Sequence, residues 1–504
     1  MKKVANTRRD TEERIPTGVS GLDDILHGGF LRNRLYLLKG DPGTGKTTLA
    51  LQYLRACHQR NEAVLYITLS ETQEDLAGVA AAHDWSLDGI TLCDLSTSED
   101  SLRADAQYTI FHPSDVELGE TTQTILEEVE RVKPMHVVFD GLSEVRLLAR
   151  DPLRYRRQMI ALKQYFAEQR ITVLLLDDRA TPLGDIQPES VVAGVIILEQ
   201  ETPIYGGTRR RLRVTKVRGS DYRSGYHDYE IAQTGVVVHP RLVAAEHHAL
   251  FEADPLLSGL SGLDHMLQGG LERGSTTILM GPAGVGKSTL SMHYVYAALQ
   301  QGHRAAFYTF DEVLQLLVQR TERLIGPLGA YQDSGQLTVA QIDPAELSPG
   351  AFAQEVRKHV EEEGARVVVI DSLNGYLSAM PEERFLVTHL HELFAYLNQK
   401  GVVTLVVMAQ HGLLGQSESS LDVSYLADTV LMMRYFEMSG EVRQAISVFK
   451  KRSGPHERTL RQLEIQPGGI RIGEPLWQFQ GIMTGVPQME RFADPMLQGR
   501  KQEV

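Results

Sequence analysis

The stretch GVSGLDDILHGG at residues 18–29 returns as GLSGLDHMLQGG at 259–270, so the chain is written twice. One offset of 241 residues carries Gly18 onto Gly259, Asp23 onto Asp264, Lys46 onto Lys287 and Glu71 onto Glu312. Asp140 and Asp371 correspond at an offset of 231, which implies small insertions in the first copy. A period near 240 residues is that of a duplicated domain, not of a short-repeat solenoid. The expected organisation is an extension over 1–13, a first domain over 14–240, a linker over 241–256, a second domain over 257–480 and a tail over 481–504. His247 and His248 fall in the linker and read as solvated, because no cysteine or carboxylate motif stands near to complete a metal site.

Within each copy, apolar runs of four to seven residues alternate with helical patterns. In the first copy strands are expected at Arg34–Lys39, Ala63–Leu69, His136–Phe139 and Ile171–Leu176, with a helix over Thr47–Gln59. The second copy repeats this with strands at Thr276–Met280, Arg304–Phe310, Arg366–Ile370 and Val402–Met408, and a helix over Ser288–Gln300. Continuous apolar runs between helices mark strands buried on both faces, hence a mostly parallel sheet. The fold class is α/β, twice.

Both copies carry GxxxxGK[ST] between a strand and a helix: Gly40-Asp-Pro-Gly43-Thr44-Gly45-Lys46-Thr47 and Gly281-Pro-Ala-Gly284-Val285-Gly286-Lys287-Ser288, followed by Thr48 and Thr289. Glycines allow backbone N–H groups to turn inward around phosphates, and the helix N-terminus adds partial positive charge. Lys46 and Lys287 are expected on the β- and γ-phosphates of ATP, with Thr47 and Ser288 on Mg²⁺. Asp140 ends HVVFD and Asp371 ends RVVVID, where a carboxylate can order the metal's water shell or simply cap the next segment. Hydrolysis also needs a group to orient water. Glu71 and Glu312 stand in register after the next strand and are assigned that role, the alternative being a helix N-terminal charge; Asp311 has Ser70 as its counterpart. Gln410 and Arg179 correspond as candidate γ-phosphate sensors.

The 65 acidic against 51 basic residues give a net charge of −14, which disfavours a non-specific nucleic-acid coat. Cys57 and Cys93 form no CxxC pair. No apolar run reaches the ~18–20 residues of a membrane-spanning helix, and the basic, mixed N-terminus has no secretion signal, so a cytoplasmic protein without membrane contact is expected. His389 and His391, Trp85 and Trp477, and Glu361–Glu363 read as ordinary helix-face or packing residues.

The doubled glycine loops, the G-x-S-G-L-D-x-x-x-x-G-G lead-ins and the strand-end acids together resemble the KaiC family of RecA-like ATPases over about residues 14–485. The resemblance implies two RecA-like P-loop domains per chain and a homo-oligomer, a double ring of six copies, with ATP between neighbours. It further implies slow hydrolysis in the first ring and Ser/Thr autophosphorylation in the second. Lys216 and Arg218 in VTKVRGS match the family's K-x-R-G strand, as do Lys450 and Arg452 in FKKRSG. Such cations two residues apart share a strand face and could reach a neighbour's γ-phosphate; the plainer alternative is a basic edge strand, above all for Arg209–Arg213. Ser424 aligns with the first of the family's two phosphoacceptors and Tyr425 replaces the second. Asp311-Glu312 resembles the paired acids of the kinase base, while the first copy has Ser70 there and Gly194 where the second has Asp428.

Three functions follow for testing. The first is an ATPase and autokinase in signalling or timing. The second is a RecA-type DNA motor, and the third a nucleotide-gated ring scaffold without kinase activity.

Overall fold

The computed structural model describes residues 13–95, 113–149, 151–179, 188–378, 386–410, 424–438, 440–482 and 488–489. The chain divides into two compact units, with the boundary between Arg241 and Leu242.

The first unit is a nine-stranded sheet. Its strands are β1 (Leu35–Gly40), β2 (Val64–Thr68), β3 (Thr91–Asp94), β4 (His136–Asp140), β5 (Thr172–Asp178), β6 (Gly194–Glu201), β7 (Arg209–Val217), β8 (His227–Ala232) and β9 (Gly235–His239). They lie in the order 3-2-4-5-1-6-7-8-9, parallel from β3 through β6 and antiparallel beyond. The second unit has β10 (Thr276–Gly281), β11 (Arg304–Thr309), β12 (Leu337–Gln341), β13 (Ala365–Asp371), β14 (Val403–Ala409), β15 (Thr429–Met438), β16 (Glu441–Lys451), β17 (Arg461–Gln466) and β18 (Gly469–Pro475). Their order is 12-11-13-14-10-15-16-17-18, the same path repeated. These are tandem RecA-like α/β units.

The apolar runs form buried strands because both sheet faces are covered. Val137 and Phe139 of β4 enter one core and Val138 the other; in β13, Val367 and Val369 enter one and Val368 and Ile370 the other. Two-residue alternation therefore feeds two hydrophobic layers from a single uninterrupted run. In the antiparallel part of the first sheet β7 shows the opposite signature, with alternate residues Leu212 and Val214 buried and their neighbours facing outward.

Three details differ from expectation. The Arg209–Arg213 run lies in an interior strand between β6 and β8, not at an edge, and two of its arginines pair with acids, Arg213 with Glu199 at 3.2 Å and Arg211 with Asp228 at 3.7 Å. The start of the expected linker, Leu242 to His247, is docked rather than solvated, while His248 to Pro255 are exposed as expected. Leu242 and Ala244 are buried in the core beneath helix Leu386–Gln399, Ala244 N–H donates to Glu392 Oε2 at 3.1 Å, and His247 Nδ1 lies 3.5 Å from Glu361. Trp477 is 69% exposed, whereas Trp85 lies half-buried beneath the Arg55 guanidinium at 4.5 Å. Among the described residues no helix is long and apolar enough to cross a membrane.

Candidate nucleotide sites

In the first unit β1 runs into the glycine loop, and helix Lys46–Gln59 begins directly after Gly45. Gly43 and Gly45 have φ of 83° and 86°, in the left-handed region that glycine adopts without cost. A Cβ on Gly45 would also come within 2.7 Å of Ile231 Cδ1. The second unit repeats both constraints, with Gly284 and Gly286 at φ 79° and 103° and Ile465 Cδ1 2.7 Å from a Cβ on Gly286. Thr44 steadies the first loop through Oγ1 donating to Asp41 O at 2.7 Å, and Val285 is buried at the matching place. Thr48 and Thr289 lie buried in the first helical turn.

Lys46 Nζ donates to Gly40 O at 2.8 Å and Asp41 O at 3.2 Å, folding back over its own loop. It also pairs with Asp178 Oδ1 at 2.8 Å. Lys287 Nζ makes the same backbone contacts, to Gly281 O at 2.9 Å and Pro282 O at 2.7 Å. No carboxylate joins Lys287 from the neighbouring strand, because register puts Ala409 beside Gly281 where Asp178 lies beside Gly40. Sequence reading missed Asp178; extending the 231-residue offset to the end of β5 would have found it.

Thr47 Oγ1 donates to Glu71 Oε1 at 3.1 Å, and Tyr66 OH donates to Asp140 Oδ2 at 2.8 Å. Glu71 is set by the loop after β2, where its N–H donates to Thr68 Oγ1 at 2.9 Å; Glu312 N–H repeats this with Thr309 Oγ1 at 3.2 Å. Lys46, Thr47, Glu71, Asp140, Glu144 and Asp178 all line one cavity of about 500 Å³. Burial pushes the Asp140 carboxyl up to about 6 and raises that of Glu71. In the second unit burial pushes Asp371 up to about 6 as well, against the lowering effect of a hydrogen bond from Ser288. There the acids after β11 have different partners: Arg320 Nη1 binds Glu312 Oε1 at 2.6 Å, and Ser372 Oγ donates to Asp311 Oδ2.

The four strand cations are engaged in matching ways. Lys216 Nζ donates to Glu189 O at 2.5 Å and Arg218 Nη2 to Ser190 O at 2.8 Å; Lys450 Nζ donates to Ala427 O at 2.8 Å and Arg452 Nη2 to Tyr425 O at 2.9 Å. Lys216 and Arg218 thus grip the short turn Pro188–Ser190 that leads into β6, and Arg452 grips Ser424–Leu426 ahead of β15, with Lys450 on Ala427 just after that turn. Tyr425 is 54% exposed; the Ser424 side chain and residues 411–423 lie outside the described residues. At this turn the strand register differs from the expected match of Gly194 with Asp428. Gly194 pairs with Tyr36 as Thr429 pairs with Thr277, so Asp428 corresponds to Ala193, one residue earlier. Gln410 N–H donates to Gly281 O at 3.0 Å beside the phosphate loop, whereas Arg179 pairs with Glu199 at 3.2 Å.

A family model of the KaiC ATPase matches residues 15–243 and again 256–476. The chain belongs to the KaiC family. It is 25% identical over 487 residues to the circadian clock oscillator protein KaiC of Thermostichus vulcanus, covering 94% of this chain and 92% of the relative. It is 24% identical over 483 residues to the circadian clock protein KaiC3 of Synechocystis sp., covering 95% of each. As a KaiC-family ATPase the chain uses nucleotide, and its two loop, hydroxyl and acid constellations are the residues suited to hold one. The oxygen donors of Thr47 and Asp140 are a hard ligand set that fits Mg²⁺, and beside them the buried Glu71 Oε2 has no hydrogen-bond partner among the described residues.

Proposed function

We propose that each unit binds ATP with Mg²⁺, that the chain hydrolyses it, and that the second unit transfers a phosphoryl group to Ser424 or Tyr425 of the protein's own assembly, a double ring of six copies. The observation that carries this reading is the repeated convergence of a loop lysine, a hydroxyl and two acids at the ends of β1, β2 and β4, and of β10, β11 and β13. Lys46 and Lys287 exchange backbone carbonyls for phosphate oxygens, and the loop N–H groups bind the same oxygens. Thr47 with Asp140, and Ser288 with Asp371, would hold Mg²⁺, which when bound neutralises charge building between the β- and γ-phosphates. Glu71 and Glu312 orient the attacking oxygen and accept its proton, with Asp311 assisting when the attacker is a protein hydroxyl. Lys216, Arg218, Lys450 and Arg452 complete a neighbour's site.

The test is to incubate pure protein with ATP and Mg²⁺, map phosphosites by mass spectrometry and record native mass. Phosphate release that disappears in Lys46→Ala/Lys287→Ala, with modification at 424 or 425, is expected. Turnover with both positions permanently unmodified would remove the kinase part and leave the scaffold or simple ATPase.

A further inference from the structure

Residue-by-residue comparison of the two copies leaves the first unit one acid short, since Ser70 stands where the second unit has Asp311. The folded units show a different balance. A Cβ on Gly375 would come within 2.6 Å of Asp311 Oδ1, so the Asp311 carboxylate sits where it does only because residue 375 has no side chain. Thr68 pairs with Asp140 as Thr309 pairs with Asp371, and the fourth residue after each aspartate is Glu144 in the first unit and Gly375 in the second. The first unit therefore combines Ser70 with Glu144, and the second combines Asp311 with Gly375.

The residue following each strand-end aspartate also faces a carboxylate. In the second unit it is Ser372, whose Oγ donates to Asp311 Oδ2. In the first it is Gly141, and a Cβ built there would lie 3.1 Å from Glu144 Oε2. A side chain at this position meets a carboxylate oxygen in either unit. In one the carboxylate comes from the loop after the strand, in the other from the helix Leu142–Ala149. Glu144 Oε2 is buried and has no hydrogen-bond partner among the described residues, and Glu144 lines the same cavity as Lys46, Thr47, Glu71 and Asp140.

We infer that Glu144 is the second carboxylate of the first unit's site, acting with Glu71 on the water that attacks the γ-phosphate. This rests on the reading of that site as ATP-hydrolysing. The water oxygen bonds to Pγ as the bond from Pγ to the β,γ-bridging oxygen breaks. ADP departs with that electron pair, and the water's proton passes to the Glu71/Glu144 pair and then to solvent. The acid that line-by-line alignment records as lost has moved to another element.

A Lys287→Ala background confines turnover to the first unit. In it, γ-phosphate release and equilibrium binding of a fluorescent ATP analogue are measured for Glu144→Gln and for the swap Ser70→Asp/Glu144→Gly. Glu144→Gln keeps the shape and loses the proton acceptor, so turnover falls about 100-fold or more with nucleotide affinity within about twofold. The swap, which transplants the second unit's arrangement, recovers most of the lost rate. Unchanged turnover in Glu144→Gln overturns the inference, as does a swap that binds nucleotide without recovering, or a background protein that binds nucleotide and never hydrolyses it. A background protein that binds no nucleotide sinks the underlying reading of the site instead.

Discussion

Gln52 in the first unit and His293 in the second hold the same hydrogen bond. Val236 N–H donates to Gln52 Oε1 at 2.9 Å, and Ile470 N–H donates to His293 Nε2 at 3.0 Å. Both side chains project from the helix that follows the phosphate loop and fasten it to the last hairpin of the sheet. That hairpin also carries Ile231 or Ile465 over the loop's final glycine. One copy makes this attachment with an amide that never titrates, the other with an imidazole.

The difference predicts an acid dependence in the second unit. Burial pushes His293 down to about 4, and only its unprotonated Nε2 can accept from Ile470. The contribution is therefore complete above pH 6.5, falls as pH drops because the unfolded chain takes up the proton first, and levels off below about pH 4. The full span is about 3 kcal/mol. Thermal melts from pH 7 to 5 should show a smaller loss for the second unit of His293→Gln than for the parent. Equal losses would disprove the assignment.

Asp178 competes with phosphate for Lys46 in the first unit only. The Asp178 side chain is 43% exposed, so solvent screens the pair and its worth is at most about 1 kcal/mol. Asp178→Ala, which imitates Ala409, should tighten nucleotide binding at the first site up to about fivefold. Titration of a fluorescent ATP analogue in a Lys287→Ala background measures this, and weaker binding would contradict it.

Gly286→Ala should damage the second site twice. The φ of 103° costs a side chain about 1–2 kcal/mol, and the new methyl strikes Ile465. Adding Ile465→Ala relieves only the contact. Melting temperature and nucleotide binding should therefore recover in part; complete recovery would show that backbone handedness imposes nothing there.

Leu242→Ala should cost the second unit about 2 kcal/mol or more, as removal of buried leucine atoms does elsewhere. The same substitution in a truly solvated linker would cost nothing. Denaturant unfolding of the full chain, followed through each unit's transition, distinguishes the two.

The phosphate loops were legible in sequence because their requirement is local: positive φ at Gly43, Gly45, Gly284 and Gly286, a lysine and a hydroxyl at fixed spacing before a helix. The parallel strands were legible for a similar reason, since burial on both faces demands unbroken apolar runs such as HVVFD and RVVVID. The roles of Glu144, Asp178, His293 and the docked start of the linker were not. Each depends on which strand ends and helices lie side by side, and that order, 3-2-4-5-1-6-7-8-9, is set by packing the whole sheet rather than by neighbours in the chain. Sequence determined that the chain carries two nucleotide-type loops on two α/β units; tertiary structure decided which carboxylates and anchors meet them, because charge acts through space and is indifferent to the element that delivers it.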